Sequence, residues 1–194
     1  MLDRFATSRK AGKAGKEKDL ATDIIEKLRN ISIAIVGDNT AANQRVAALL
    51  AGELEYVPLD TKSIVEQLLK CSVEELVAQE GITSLALVEA AALESLSTNI
   101  RCCIATCGGG GAAARGDCWR HLFGTVTVWL DDHTEASQDA APQREAYAQA
   151  EVHVKVDTAG RQADDDSVVD EIARDASAGT TSWWSLSVHF TKDA

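Results

Sequence analysis

Ile31-Ser32-Ile33-Ala34-Ile35-Val36-Gly37-Asp38-Asn39-Thr40-Ala41-Ala42-Asn43-Gln44 is the stretch on which the fold turns. Residues 31–36 are apolar and β-branched at four of six positions, Gly37 closes the run, and an amphipathic segment follows over 42–54. This pattern predicts a buried strand, a turn and a helix. The same alternation continues outward. Residues 55–59 form a second short strand with Pro58 near its end, where a missing N–H is tolerated. Asp60 caps a helix with apolar positions at Ile64, Val65, Leu68 and Leu69. Ser72 and Glu75 make a capping box that opens a helix to about residue 79, and Gly81 ends it. A helix over 84–96 precedes a third strand over 100–105, which runs into Cys107-Gly108-Gly109-Gly110-Gly111. Residues 115–122 read as helical, 125–130 as a fourth strand ended by Asp131, 136–150 as a polar Ala-rich stretch, 151–156 as a fifth strand and 167–176 as a terminal helix. Strands alternating with helices and apolar enough to be covered on both sides predict an α/β fold: a doubly wound, five-stranded parallel sheet with helices on both faces. Ligands in such sheets sit beyond the carboxyl ends of the strands, so the loops 37–44, 58–60, 107–112 and 131–144 are the ones to inspect.

The chain has 194 residues, 45% hydrophobic and 25% charged, enough for a sizeable core. Nine aromatic residues and two prolines disfavour a turn-rich all-β sandwich. No apolar run is long enough to span a bilayer. Residues 1–18 carry a net charge of +4, which leaves −15 on the remaining 176. That acidic body repels nucleic acid, whose binding requires clustered Lys and Arg, so no nucleic-acid partner is expected. The five Cys form no C-x-x-C pair and the four His show no ligand spacing, so no zinc or other metal site is expected; no cofactor is expected either. Cys103 reads as a small buried hydrophobe. Cys107, beside four glycines, is the one thiol whose loop position would permit reactivity.

The opening stretch stands where a phosphate-binding loop, G-x-x-x-x-G-K-[ST], would lie. That chemistry needs a second Gly so that backbone N–H groups approach phosphate, a Lys for the β and γ charges, and a hydroxyl for Mg²⁺. After Gly37 those positions hold Ala42, Asn43 and Gln44. Asp38 adds a carboxylate where the helix dipole would otherwise favour an anion. A plain strand-to-helix turn accounts for the segment better than triphosphate binding does.

Beside this loop, Tyr56-Val57-Pro58-Leu59-Asp60 resembles the F-x-D-x-D segment of shikimate kinases, with Pro58 in place of the first, metal-associated Asp. Gly109-Gly110-Gly111-Ala112-Ala113-Ala114-Arg115, Trp119-Arg120 and Val126-Thr127-Val128-Trp129-Leu130-Asp131 resemble the plant-type sequence of that family in order and spacing. Arg144-Glu145-Ala146-Tyr147-Ala148-Gln149-Ala150 resembles its R-x-x-Y-A-x-A. The resemblance covers about residues 31–157 and implies a P-loop kinase-like fold. It places the substrate-binding Asp at Asp60, the substrate-loop glycines at Gly109, Gly110 and Gly111, and the Arg before the last strand at Arg144, a vestigial substrate pocket. The family's carboxylate-binding Arg falls on Ala86, after Leu85. Only Asp132 to Gln143 separate Asp131 from Arg144, where family members carry a longer mobile lid with a catalytic Arg, so the lid reads as deleted. Phosphoryl transfer depends on the loop Lys, metal and lid acting together. The resemblance is therefore to the plastid shikimate kinase-like proteins that look catalytically inactive, with a degenerate phosphate loop, no catalytic residue and a chloroplast location.

The glycine run also reads as a bare strand-to-helix turn, and Asp60 as a helix cap with no ligand. The implied organisation is a basic arm and lead-in helix over 1–30, the kinase-like domain over 31–178 and a tail over 179–194 containing Trp183 and Trp184. The expected work is contact with a protein partner not identifiable from sequence. The alternative is a divergent small-molecule kinase or a sensor of a shikimate-like ligand.

Overall fold

The computed structural model describes residues 28–131 and 141–155. Five strands, β1 (Ile33–Val36), β2 (Val57–Asp60), β3 (Cys102–Ala105), β4 (Val126–Asp131) and β5 (Val152–Lys155), form one sheet in the order β2-β3-β1-β4-β5. All four pairings are parallel. The helices are α1 (Thr40–Leu54), α2 (Thr61–Leu69), α3 (Val73–Glu80), α4 (Ile82–Leu96) and α5 (Ala141–Tyr147). Two 3₁₀ segments, Ala112–Ala114 and Gly116–Leu122, lie between β3 and β4. The expected helix over 115–122 is thus the tighter form, in a connector longer than the three or four residues usual for it.

β1 is central and wholly buried, which is why its apolar run does not alternate with polar residues. Side chains alternate across it instead. Ile33 and Ile35 join Cys103, Ala105, Val128 and Leu130 under Val46, Leu50 and Leu54 of α1. Ala34 and Val36 join Cys102, Ile104 and Trp129 on the opposite face, against Ala90 and Leu93 of α4, Trp119, and Tyr147 of α5. Helical cover on both faces is what the sequence pattern predicts. Pro58 stands in the edge strand β2, opposite Cys103, where its missing N–H interrupts no inner ladder.

The boundaries move by one to three residues for local reasons. Asn39 accepts from the Ala42 N–H and starts α1 at Thr40, two residues ahead of the apolar pattern. Asp60 is both the last residue of β2 and the cap of α2. Ser72 and Glu75 form the expected capping box. Gly81, at φ 87°, ends α3 and opens α4 directly, so α4 begins at Ile82. Asp131 does not end β4 but belongs to it. α5 falls within the stretch 136–150, for which no element was predicted. The N-terminal arm, the deleted-lid reading at 132–140, the terminal helix over 167–176 and the Trp183–Trp184 tail lie outside the described residues.

Candidate functional site

Because every strand is parallel, the loops after β1, β2, β3 and β4 gather at one end of the sheet, and the first and third interlock. The Gly108 N–H donates to Thr40 Oγ1 at 2.8 Å and the Gly109 N–H to the Asp38 carbonyl at 3.1 Å. A Cβ on Gly108 would collide with that carbonyl, so glycine is required for the two backbones to approach. Asn43 is wholly buried and donates through Nδ2 to the Gly37 and Thr106 carbonyls, both at 3.1 Å. Ala42 is buried, and its N–H is spent on Asn39. Gln44 Nε2 donates to Asp60 Oδ2 at 2.9 Å. The segment where a phosphate cradle would lie is closed by the chain's own atoms.

Among the residues that the resemblance assigns to a substrate pocket, Asp60, Gly109 and Arg144 are engaged within the chain. Asp60 accepts from the Lys62 and Ser63 N–H groups, from Ser63 Oγ at 2.6 Å and from Gln44. Its helix-cap role is realised. Gln143 donates to the Gly109 carbonyl at 2.8 Å. Arg144 makes a two-pronged pair with Asp131, both contacts at 3.0 Å, and its guanidinium lies 5.2 Å over the Trp129 ring. His153 Nε2 lies 3.0 Å from the same Asp131 carboxylate, and its ring stacks on Trp129 at 4.1 Å. A buried carboxylate therefore has two cationic or polar partners, the arrangement that makes its burial tolerable.

A cavity of about 180 Å³ remains between the β1 and β3 loops and α2 to α4, lined by Asp38, Thr40, Lys62, Glu74, Leu85 and Gly108 to Gly110 among others. Gly109 and Gly110 reach it; Asp60, Gly111 and Arg144 do not line it. Its one lysine is bound 2.8 Å from Glu74. That hydrogen bond holds Lys62 above and Glu74 below their ordinary pKa values, and both groups remain in contact with solvent. Leu85 and Ala86, where the resemblance places an aromatic residue and an Arg, are buried apolar residues of α4.

Cys107 is not the reactive thiol its loop position permitted. It is 2% exposed, and burial first, then the Glu89 carboxyl, pushes its pKa far above the thiol range. Cys103 is buried as expected, and burial pushes it up to about 12. Among the described residues no three His, Cys, Asp or Glu side chains are grouped as a metal would require.

Three groups escaped the sequence reading. Glu89 is completely buried and hydrogen-bonded to the Thr61 hydroxyl, the Cys107 N–H and the Ala112 N–H. Its signal was present: on α4 it shares the apolar stripe of Leu85, Ala86, Ala90 and Leu93. Gln143 and the Asp131–His153 contact had no such signal, because they join loops distant in sequence.

Comparison with known proteins agrees with this architecture. A family model described as shikimate kinase matches residues 42–176. An Arabidopsis thaliana protein named "Probable inactive shikimate kinase like 2, chloroplastic" is 39% identical over 150 residues, which are 72% of this chain and 38% of that protein. A shikimate kinase of Synechococcus sp. (strain JA-3-3Ab) is 33% identical over 106 residues, 55% of each chain. The chain thus spans 38% and 55% of the length of these two relatives. Among solved structures, the shikimate kinase of Acinetobacter baumannii in complex with shikimate superimposes with a TM-score of 0.61 at 17% identity, covering 82% of this chain and 96% of that one. The Aquifex aeolicus shikimate kinase gives 0.56 at 19%, covering 77% and 98%.

Proposed function

The chain belongs to the shikimate kinase family, and from that premise we propose that it is a non-catalytic member with a degenerate phosphate loop and a deleted lid, working through protein contacts in the plastid. The observation that carries the reading is Asn43. It stands where the phosphate loop needs its lysine, is buried, and has committed both amide hydrogens to the Gly37 and Thr106 carbonyls. A triphosphate would have to break those bonds and part the 37–40 and 108–109 loops, and it would meet Asp38 in place of a cation. Support for the plastid comes from the Arabidopsis relative, whose name carries both "inactive" and "chloroplastic".

Thermal unfolding with and without ligands tests the reading. A ligand at 100 times its dissociation constant stabilises by about 2.7 kcal/mol. Millimolar Mg-ATP should leave the midpoint unchanged, and a rise of several degrees would overturn the reading. A second reading, a sensor of a small hydroxylated molecule, draws on the remaining cavity of about 180 Å³. It requires a shift with shikimate and none with nucleotide.

A further inference from the structure

Two carboxyl groups are buried in the described core, Asp131 and Glu89. Asp131 meets Arg144 and His153. Glu89 meets no cation among the described residues, and Ala86, one turn back on the same face of α4, offers only a methyl group. The hydrogen-bond partners of Glu89 are neutral: Thr61 Oγ1 at 2.5 Å and the Cys107 N–H at 2.6 Å on Oε1, the Ala112 N–H at 2.6 Å on Oε2, and the Cys107 thiol beside them. Gly111 is what admits the carboxyl to the turn, since a Cβ there would collide with Oε2.

Proton bookkeeping at Thr61 decides the charge. Its hydroxyl has one proton but faces two oxygens, Glu89 Oε1 at 2.5 Å and the Ala105 carbonyl at 3.1 Å. An ionised Glu89 and the carbonyl can both only accept, so one of these contacts would lack a hydrogen. A protonated Glu89 supplies it. Oε1–H then donates to Thr61 Oγ1, the Thr61 hydroxyl donates to Ala105, the Cys107 N–H finds Thr61 Oγ1 at 3.1 Å, and the Ala112 N–H keeps Oε2. The titratable groups nearest this site are the Cys107 thiol, 3.6 Å from Thr61 Oγ1, and the carboxylate of Asp60, which immediately precedes Thr61; neither is a cation, and the Cys107 hydrogen bond pulls Glu89 down without offsetting its burial.

We propose that the folded chain carries Glu89 as a neutral carboxylic acid, and that its proton latches the turn 107–112 to α2 and α4. Burial pushes the Glu89 carboxyl above its ordinary value, outweighing the hydrogen bonds that pull it down. A raised folded-state pKa gives a definite sign. The stability it contributes is fully present below the unfolded pKa of about 4.5 and is lost as pH rises through the higher folded value. The latch therefore loosens toward alkaline pH.

The test is an infrared difference spectrum, at neutral pH, between the wild-type chain and Glu89→Gln. The wild type should show a protonated-carboxyl C=O band that the variant lacks, and loss of carboxylate bands alone would overturn the proposal. Thermal midpoints add a second reading. Glu89→Gln should melt close to wild type in mild acid and increasingly above it as pH rises, because the amide can donate to Thr61 as the acid does. A variant less stable at every pH would contradict the latch. Should Glu89→Gln fail to fold, Thr61→Val removes the acceptor and should move the C=O band to higher frequency. An unmoved band counts against the proposal.

Discussion

At Asn43 one residue both removes a cation and fills its space. The amide satisfies two buried carbonyls, so Asn43→Ala leaves both without their donor and should cost about 1–3 kcal/mol in chemical denaturation. Asn43→Lys restores the motif residue but introduces an ammonium at a fully buried position. It should destabilise the fold without creating nucleotide binding, because Asp38 and the interlocked 108–109 loop remain. A thermal shift with Mg-ATP on that variant checks the expectation, and a gain of binding would mean that the loop opens more easily than its hydrogen bonds imply. The cysteines give an independent check. Cys103 and Cys107 are buried, with thiols pushed far up, so iodoacetamide should spare both in the native protein and label Cys71, which is partly accessible.

At the scale of elements, an ion pair ties α5 to the sheet beside the core packing of Ala146 and Tyr147. Arg144 in the last turn of α5 meets the buried Asp131 of β4, and Arg144→Ala would remove the two-pronged partner of that carboxylate. With Arg144 partly in solvent, the cost should fall near 1–3 kcal/mol in denaturant titration, below that of a fully buried pair. The capping box at Ser72 predicts a smaller effect, about 1 kcal/mol for Ser72→Ala. These two cases show what sequence conveys about elements. Ser72 and Glu75 lie three residues apart, and both their pattern and their bonds are local, so the helix start was legible. Asp131 followed an apolar run and read as its terminator. Its burial became visible only when Arg144 and His153 were brought to it, across 13 and 22 positions of chain. The strands were legible for the same reason as the cap: a β-branched run such as 31–36 has few alternatives to a buried strand.

For the whole molecule, the fold is that of a kinase family, and the proposed loss of its chemistry rests on positions that depart from the family motifs. Losses at Ala42, Asn43, Gln44, Pro58 and Ala86 were readable in sequence, because a motif names which side chain must stand where. How the protein compensated for them was not. The bonds from Gln143 to Gly109, from Gln44 to Asp60 and from Asn43 to Thr106 join separate loops, and no periodicity encodes them. Together they tie to one another the loops at the carboxyl end of the sheet. The most direct measurement of this account is phosphoryl transfer itself: purified protein incubated with Mg-ATP and shikimate, with shikimate 3-phosphate quantified over hours. The account predicts product no faster than in the protein-free control. Product that accumulates in proportion to protein concentration, and disappears in an Asp60→Ala variant, would contradict it.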